Sequence, residues 1–283
     1  MKFVIDQNSF RLPDLALQNH LAASSDNIAV VTDTALFEML KGSDPVYAAT
    51  RSFEVLREFP QQAVVTAGTG ELIRQEIATK KPIETATDVR LTSQLQALLA
   101  EIKNFSDGQR ATFPLEAAAI QKEITTARSQ RIDTPLHKTS LVGAVGVLRK
   151  QLPEAVKTDA RKGQMTNAVY EFIYLSSFIA YRDAMRDHGL TEAEAQELFL
   201  GYALGARLVM MYQLSIFGWF ESHGAESLSE VAATNDFLDV DYVTVATYYD
   251  GIISRESRVN KLHARAKTFF EFPQQRNSKA TAS

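Results

Sequence analysis

Apolar residues fall in short unbroken runs near both ends of this chain and at helical spacing through its middle. "KFVID" is an apolar run closed by an acid, the pattern of a buried first strand. "NIAVVTDTALFEML" reads as an extended segment leading into a helix, with Asp33 as the N-cap and Leu36, Met39 and Leu40 on one apolar face. "PVYAATRSFEVLREFP" predicts another helix and "QAVVTAG" another strand. Strand, helix, helix, strand with short links predicts an α/β core on a parallel sheet.

From about residue 84 to 230 strand candidates nearly vanish. "LTSQLQALLAEI", "LEAAAIQKEITTA", "TSLVGAVGVLRKQL", "TNAVYEFIYLSSFIAYRDAM" and "TEAEAQELFLGYALGARLVMMYQL" all predict helices. Thr191 with Glu194 spells a capping box at the start of the last one. "SLSEVAATNDFLDVDYVTVATYY" predicts a helix, "DGIIS" a short strand, and "RVNKLHARAKTFFEF" a helix or a helix and strand. The organisation expected is a core in two parts, 1–83 and 231–272, around an all-helical insertion, 84–230, with a polar disordered tail, 273–283. No internal repeat is visible.

Composition narrows the class. At 283 residues the chain can bury a sizeable core, and 45% hydrophobic with 23% charged residues is ordinary for a globular protein. It has no cysteine, which excludes disulfides, thiolate metal sites and cysteine nucleophiles. The apolar run at the N-terminus stops at Asp6, far short of a signal-peptide core. Residues 198 to 220 are long enough to span a bilayer, but Arg207 near the middle favours a buried core helix. A soluble, cytoplasmic protein with no membrane partner is expected. A net charge of -4 means that a nucleic-acid binder would need its positive charge gathered locally or a metal to bridge to phosphate.

The chemistry concentrates near the end of the chain. Residues 235 to 256 carry Asp236, Asp239, Asp241, Asp250 and Glu256 around otherwise apolar elements. Acids at the carboxyl ends of parallel strands face the crevice where α/β folds bind ligands, and Asp6 closes the first strand. Several carboxylates at one crevice repel one another unless a cation holds them, and hard oxygen ligands suit Mg2+ or Mn2+. Asp33 and Asp236 also suit helix caps, and Asp241, two residues from Asp239, points elsewhere on a helix.

"KFVIDQN", "TDTALFEML" and "DVDYVTVATYYDGIISRE" together resemble, in order, the four acidic motifs of PIN-domain nucleases. The resemblance covers roughly residues 1 to 80 and 231 to 270. It implies a PIN-like α/β fold, a parallel sheet flanked by helices, with the large all-helical insertion as an addition. It also implies Asp6 as the first metal ligand, Glu38 as the second acid, Asp239 as the third with Asp250 as rival or companion, and Glu256 as the fourth. The fourth acid is usually Asp; here Glu256 keeps the charge on a longer arm. Ser254 matches the family's hydroxyl, and Asn8 is placed to orient the first ligand.

Arg255, Arg258, Lys261, Arg265 and Lys267 form a basic cluster, in which Arg258, Lys261 and Arg265 share a helical face able to hold a phosphate backbone. "TAGTG" at 66 to 70 lacks the spacing of a P-loop and reads as a turn, and the histidines show no metal-ligand pairing. The aromatic helix at 170 to 181 reads as core or interface rather than as a base-stacking surface. The expectation is a toxin-like ribonuclease dependent on Mg2+ or Mn2+, with Asp6, Asp239, Asp250 and Glu256 on the metal and RNA favoured over DNA. The alternative is a catalytically idle PIN-like scaffold whose helical block assembles with a second copy or a regulatory protein. A weaker third reading is an α/β enzyme acting on phosphorylated small molecules.

Overall fold

The computed structural model describes residues 1–10, 15–40, 53–103, 136–221 and 229–280, with backbone alone at 37–40, 101–103, 136–138, 220–221, 231 and 272–280. The chain packs as two units. One comprises Met1–Glu71, Thr85–Thr134 and Val245–Asn260, the other Leu72–Glu84, Pro135–Thr244 and Lys261–Ser283.

The first unit is α/β. Its five-stranded sheet contains β1 (Lys2–Ile5), β2 (Ile28–Val31), β3 (Ala63–Thr66), β4 (Thr87–Asp88) and β5 (Gly251–Ile253) in the order β4-β3-β2-β1-β5. β3, β2, β1 and β5 run parallel, and only the two-residue β4 is antiparallel. Val4, Ile5, Val30, Val31 and Val65 are buried, as unbroken apolar runs in a parallel sheet must be. Helix α1 (Leu15–Ala23) packs on β2 through buried Leu17 and Leu21, and α2 (Asp33–Leu40) follows β2 directly.

Two predicted features of this unit change. Thr32, not Asp33, caps α2: its hydroxyl accepts the Ala35 N–H at 3.0 Å, which puts Asp33 at the first helical position. Residues 53–60, read as the end of a helix, instead lead through two 3-10 turns, Leu56–Glu58 and Pro60–Gln62. Phe59 leaves the helical region between them, and Pro60, lacking an N–H, cannot continue an α-helical ladder. The rest of that predicted helix lies outside the described residues, as does the one at 115–127.

The sheet unit also extends past residue 83. Helix α4 (Val89–Lys103), capped by the Asp88 carboxylate on Leu91 N–H, packs along β3. Because β4 is so short, α4 completes the edge of β3 with side chains. Thr92 Oγ1 accepts from Val65 N–H, and Gln96 donates to the Ala63 carbonyl.

The second unit is helical. It holds α5 (Leu136–Gln151), α6 (Glu154–Arg161), α7 (Asn167–Asp187), α8 (Glu192–Leu200), α9 (Leu204–Glu221) and most of α3 (Thr69–Thr79), α10 (Glu230–Ala246) and α11 (Ser257–Ala280). The aromatic helix serves the core: Tyr174, Phe178 and Tyr181 surround buried Phe199 with ring centroids 5.1–5.8 Å apart. The Thr191–Glu194 capping box opens α8 as expected.

The long helix predicted from residue 191 onward is two helices, α8 and α9, with axes bent by 73°. α8 ends in a Schellman turn, with Ala203 N–H on the Leu198 carbonyl and Tyr202 N–H on that of Phe199. Tyr202 takes the left-handed position at φ +53°, where α7 has Gly189 at φ +82° in the same motif. Among the described residues no single helix is long and apolar enough to cross a membrane; α8 and α9 reach that measure only as a bent pair. Arg207 donates to the Tyr202 carbonyl and stacks over Phe270.

The carboxylate of Glu76, on α3, anchors this break. It is buried and accepts N–H bonds from Ile83 (3.1 Å), Leu204 (2.7 Å) and Gly205 (3.1 Å), the last two being orphan donors at the start of α9. At the other end, α11 stays helical to Ala280, where composition predicts a disordered tail. That extension runs through Gln274, Gln275, Arg276, Lys279 and Ala280, which are good helix formers, but also through Pro273, which lacks an N–H and ordinarily costs a helix interior about 3 kcal/mol.

Candidate functional site

The parallel strands end in a polar row. Carried one residue past the last pair of β1–β5 and β2–β3, and two past that of β1–β2, the same register sets Ser254, Asp6, Thr32 and Thr66 side by side across β5, β1, β2 and β3. β1 connects forward to β2 on one side and has β5 on its other side. That makes the gap between β1 and β5 a topological switch point, where open α/β sheets leave a crevice at the strands' carboxyl ends. Asp6 and Ser254 stand on the two sides of it.

Four predicted site residues meet here. Asp6 is only 4% exposed, and its carboxylate accepts a hydrogen bond from Ser254 Oγ at 2.5 Å. Ser254 Oγ in turn accepts the Glu256 N–H at 3.0 Å, so its single proton is committed to Asp6. The Glu256 carboxylate accepts from Asn8 Nδ2 at 2.5 Å, and Asn8 sits in the 3-10 turn Gln7–Ser9 that follows Asp6. Asp6 N–H bonds the Ile253 carbonyl, which ties the two strand ends together by backbone as well. The result is a closed circuit of two acids, a hydroxyl and an amide, drawn from chain segments 248 residues apart.

The other expected members are placed elsewhere. Asp250 lies at the opposite end of β5: its N–H bonds the Lys2 carbonyl, and its carboxylate accepts the Lys2 N–H at 2.6 Å. At about 3.3 Å per residue, a strand separates it from Ser254 by roughly 13 Å. Asp250 is therefore not brought to Asp6. Asp239 sits in the middle of α10 rather than opening it, and belongs to the helical unit; Asp236 and Asp241 are likewise within that helix, not at its start. The backbone of Glu38 is in α2, but its side chain lies outside the described ones. Among the described residues no group of three or more Asp, Glu, His or Cys stands together as a metal site.

Of the basic residues, Arg255 is exposed in the loop between β5 and α11, and Arg258 lies half-buried in the first turn of that helix, both next to the circuit in the chain. Lys261 and Arg265 follow on the part of α11 that belongs to the helical unit. Arg265 faces that unit's interior, its guanidinium 3.8 Å from where a Cβ on Gly218 would stand.

Sequence reading missed two contributors to this region. Thr32 shows only as the residue before a helix, and its role as cap depends on the hydroxyl reaching Ala35. Asn260, in the first turn of α11, donates from Nδ2 to the Ser254 carbonyl at 2.9 Å. An asparagine six residues past a serine carries no pattern by itself.

Asp6 and Glu256 are two described carboxylates of this circuit with the chemistry to bind a cation. Both are hard oxygen donors, and each is oriented by a hydrogen bond from a neighbour, the arrangement that fixes metal-ligating carboxylates. Mg2+ is commonly bound by one or two carboxylates, with water and substrate phosphate completing its shell, and these two acids are donors of that type. No protein-family model, no curated protein and no solved structure matches this chain.

Proposed function

We propose that this chain is a divalent-metal-dependent nuclease of PIN-like architecture, acting on RNA. The observation that carries the reading is the Asp6–Ser254–Glu256–Asn8 circuit at the switch point between β1 and β5. The motif resemblance at both ends of the chain supports it. A bound Mg2+ or Mn2+ supplies an activated water and neutralises charge on a phosphodiester.

The chain's own residues do the rest. Ser254 holds the Asp6 carboxylate as an acceptor, and Asn8 keeps Glu256 turned toward the same strand ends. Burial of Asp6 limits water around that carboxylate and strengthens its electrostatic effect. Arg255 and Arg258 adjoin the circuit and suit backbone phosphates. Glu38 remains a candidate second acid; Asp250 is not part of this reading.

The test is cleavage of end-labelled single-stranded RNA and DNA with Mg2+, Mn2+ or EDTA. Wild type should cut RNA only with metal, Asp6→Asn should lose cutting, and Asp250→Asn should keep it. Cutting retained in Asp6→Asn would remove the circuit from the chemistry.

A second reading, a scaffold that assembles with a protein partner or another copy, is favoured by Leu175 and Ile179. They are exposed one turn apart on α7, in the helical unit. Gel filtration at rising concentration distinguishes it: a monomer throughout counts against self-assembly.

A further inference from the structure

We infer that Asn260 is a positioning residue for the Asp6–Glu256 pair, an inference that rests on the metal-dependent reading above. Asn260 touches neither carboxylate. Its side-chain amide bonds the Ser254 carbonyl at 2.9 Å, while its backbone N–H bonds the Glu256 carbonyl at 3.1 Å. One residue thus holds both ends of the Ser254–Arg255–Glu256 loop to the first turn of α11.

The consequence runs through Ser254. Its hydroxyl has to accept from Glu256 N–H and donate to Asp6 at the same time, which demands one orientation of the loop backbone. The bond from Asn260 removes the rotation of the Ser254–Arg255 peptide that would turn the hydroxyl away. Without that bond, the loop can move, the Ser254 hydroxyl leaves Asp6 for part of the time, and Glu256 drifts from Asn8. Partners that orient metal-binding carboxylates through hydrogen bonds change metal affinity by about 10–100-fold when removed. Asn260 is exposed and lies on the outside of the helix, so replacing it empties no core.

The test uses the full chain and Mn2+ alone. Calorimetry measures Mn2+ affinity for wild type, Asn260→Ala and Asn260→Gln, with thermal melting alongside and amide hydrogen exchange read at Arg255 and Glu256. The expected result is Mn2+ binding weakened about tenfold in Asn260→Ala and partly restored in Asn260→Gln, which keeps the amide donor. Melting should be nearly unchanged and exchange at Glu256 faster in the alanine variant. Equal Mn2+ affinity in wild type and Asn260→Ala overturns the positioning role while leaving the nuclease reading intact. If wild type binds no Mn2+, the nuclease reading fails, and exchange alone decides. Unchanged rates at Glu256 then overturn the role of Asn260, and faster rates in the alanine variant uphold it as the residue that fixes this loop.

Discussion

Two buried carboxylates, Asp6 in the sheet unit and Glu76 in the helical unit, solve the same problem in different ways. Both are nearly inaccessible, at 4% and 1% exposed. Glu76 is satisfied by three backbone N–H groups, two of them from the first turn of α9. Asp6 accepts from a side-chain hydroxyl, Ser254 Oγ, which itself accepts the backbone N–H of Glu256. Backbone donors belong to the fold and move only if it moves, so Glu76 is a fastener. A hydroxyl can rotate and a loop can adjust, so Asp6 sits in a setting able to respond to a ligand. The identity of the donors, more than burial, separates a structural acid from a candidate functional one.

The sharpest way to break this contrast is to neutralise each acid. Asp6→Asn should abolish metal-dependent RNA cleavage while costing about 1 kcal/mol in chemical denaturation, because the amide oxygen still accepts from Ser254. Glu76→Ala should do the reverse. It strands three buried N–H groups and should cost about 3 kcal/mol or more, seen as a lowered urea midpoint. A Glu76→Ala variant as stable as wild type would remove the fastener role.

Smaller effects come from the caps. Thr32→Ala deletes the cap of α2 beside the polar row and should lower stability by about 1 kcal/mol in the same assay, with Asp33 unable to substitute from the first helical position.

The smallest effect expected is a pH dependence at the start of α8. Glu194 is half-buried, and hydrogen bonding by Lys80, followed by the Thr191 bonds, pulls its carboxyl down from an ordinary 4.5 to about 2. A folded value below the unfolded one means the contribution is fully present above 4.5 and fades as pH falls toward 2. The difference in melting temperature between wild type and Glu194→Gln should therefore shrink across that window. A difference that stays constant would mean that the ion pair and capping box add nothing through ionisation.

Much of the fold was legible from local pattern. The apolar runs at 2–5, 28–31, 63–66 and 251–253 are strands, and Thr191 with Glu194 opens a helix, because burial periodicity and cap chemistry are set within a few residues. Asp6, Asn8, Ser254 and Glu256 were also found from sequence, and they do converge. They flank strands whose ends can be read, and a parallel pairing of β1 with β5 puts like ends together.

What the pattern did not reveal depended on which way elements run and where they stop. Asp250 and Glu256 are close in the chain, yet β5 carries one to each end of the sheet, since an extended strand spends its residues on length. The apolar run through residues 198–220 looked continuous, and the bend came from contacts distant in sequence. At Gly201 a side chain's Cβ would fall 2.8 Å from Pro82, and Glu76 reaches back to cap Leu204 and Gly205. Sequence by itself determined the α/β and helical segments and the acids at the strand ends. Tertiary structure alone decided which acids share a crevice and which merely close the fold, because a carboxylate's role depends on donors that the chain supplies from far away.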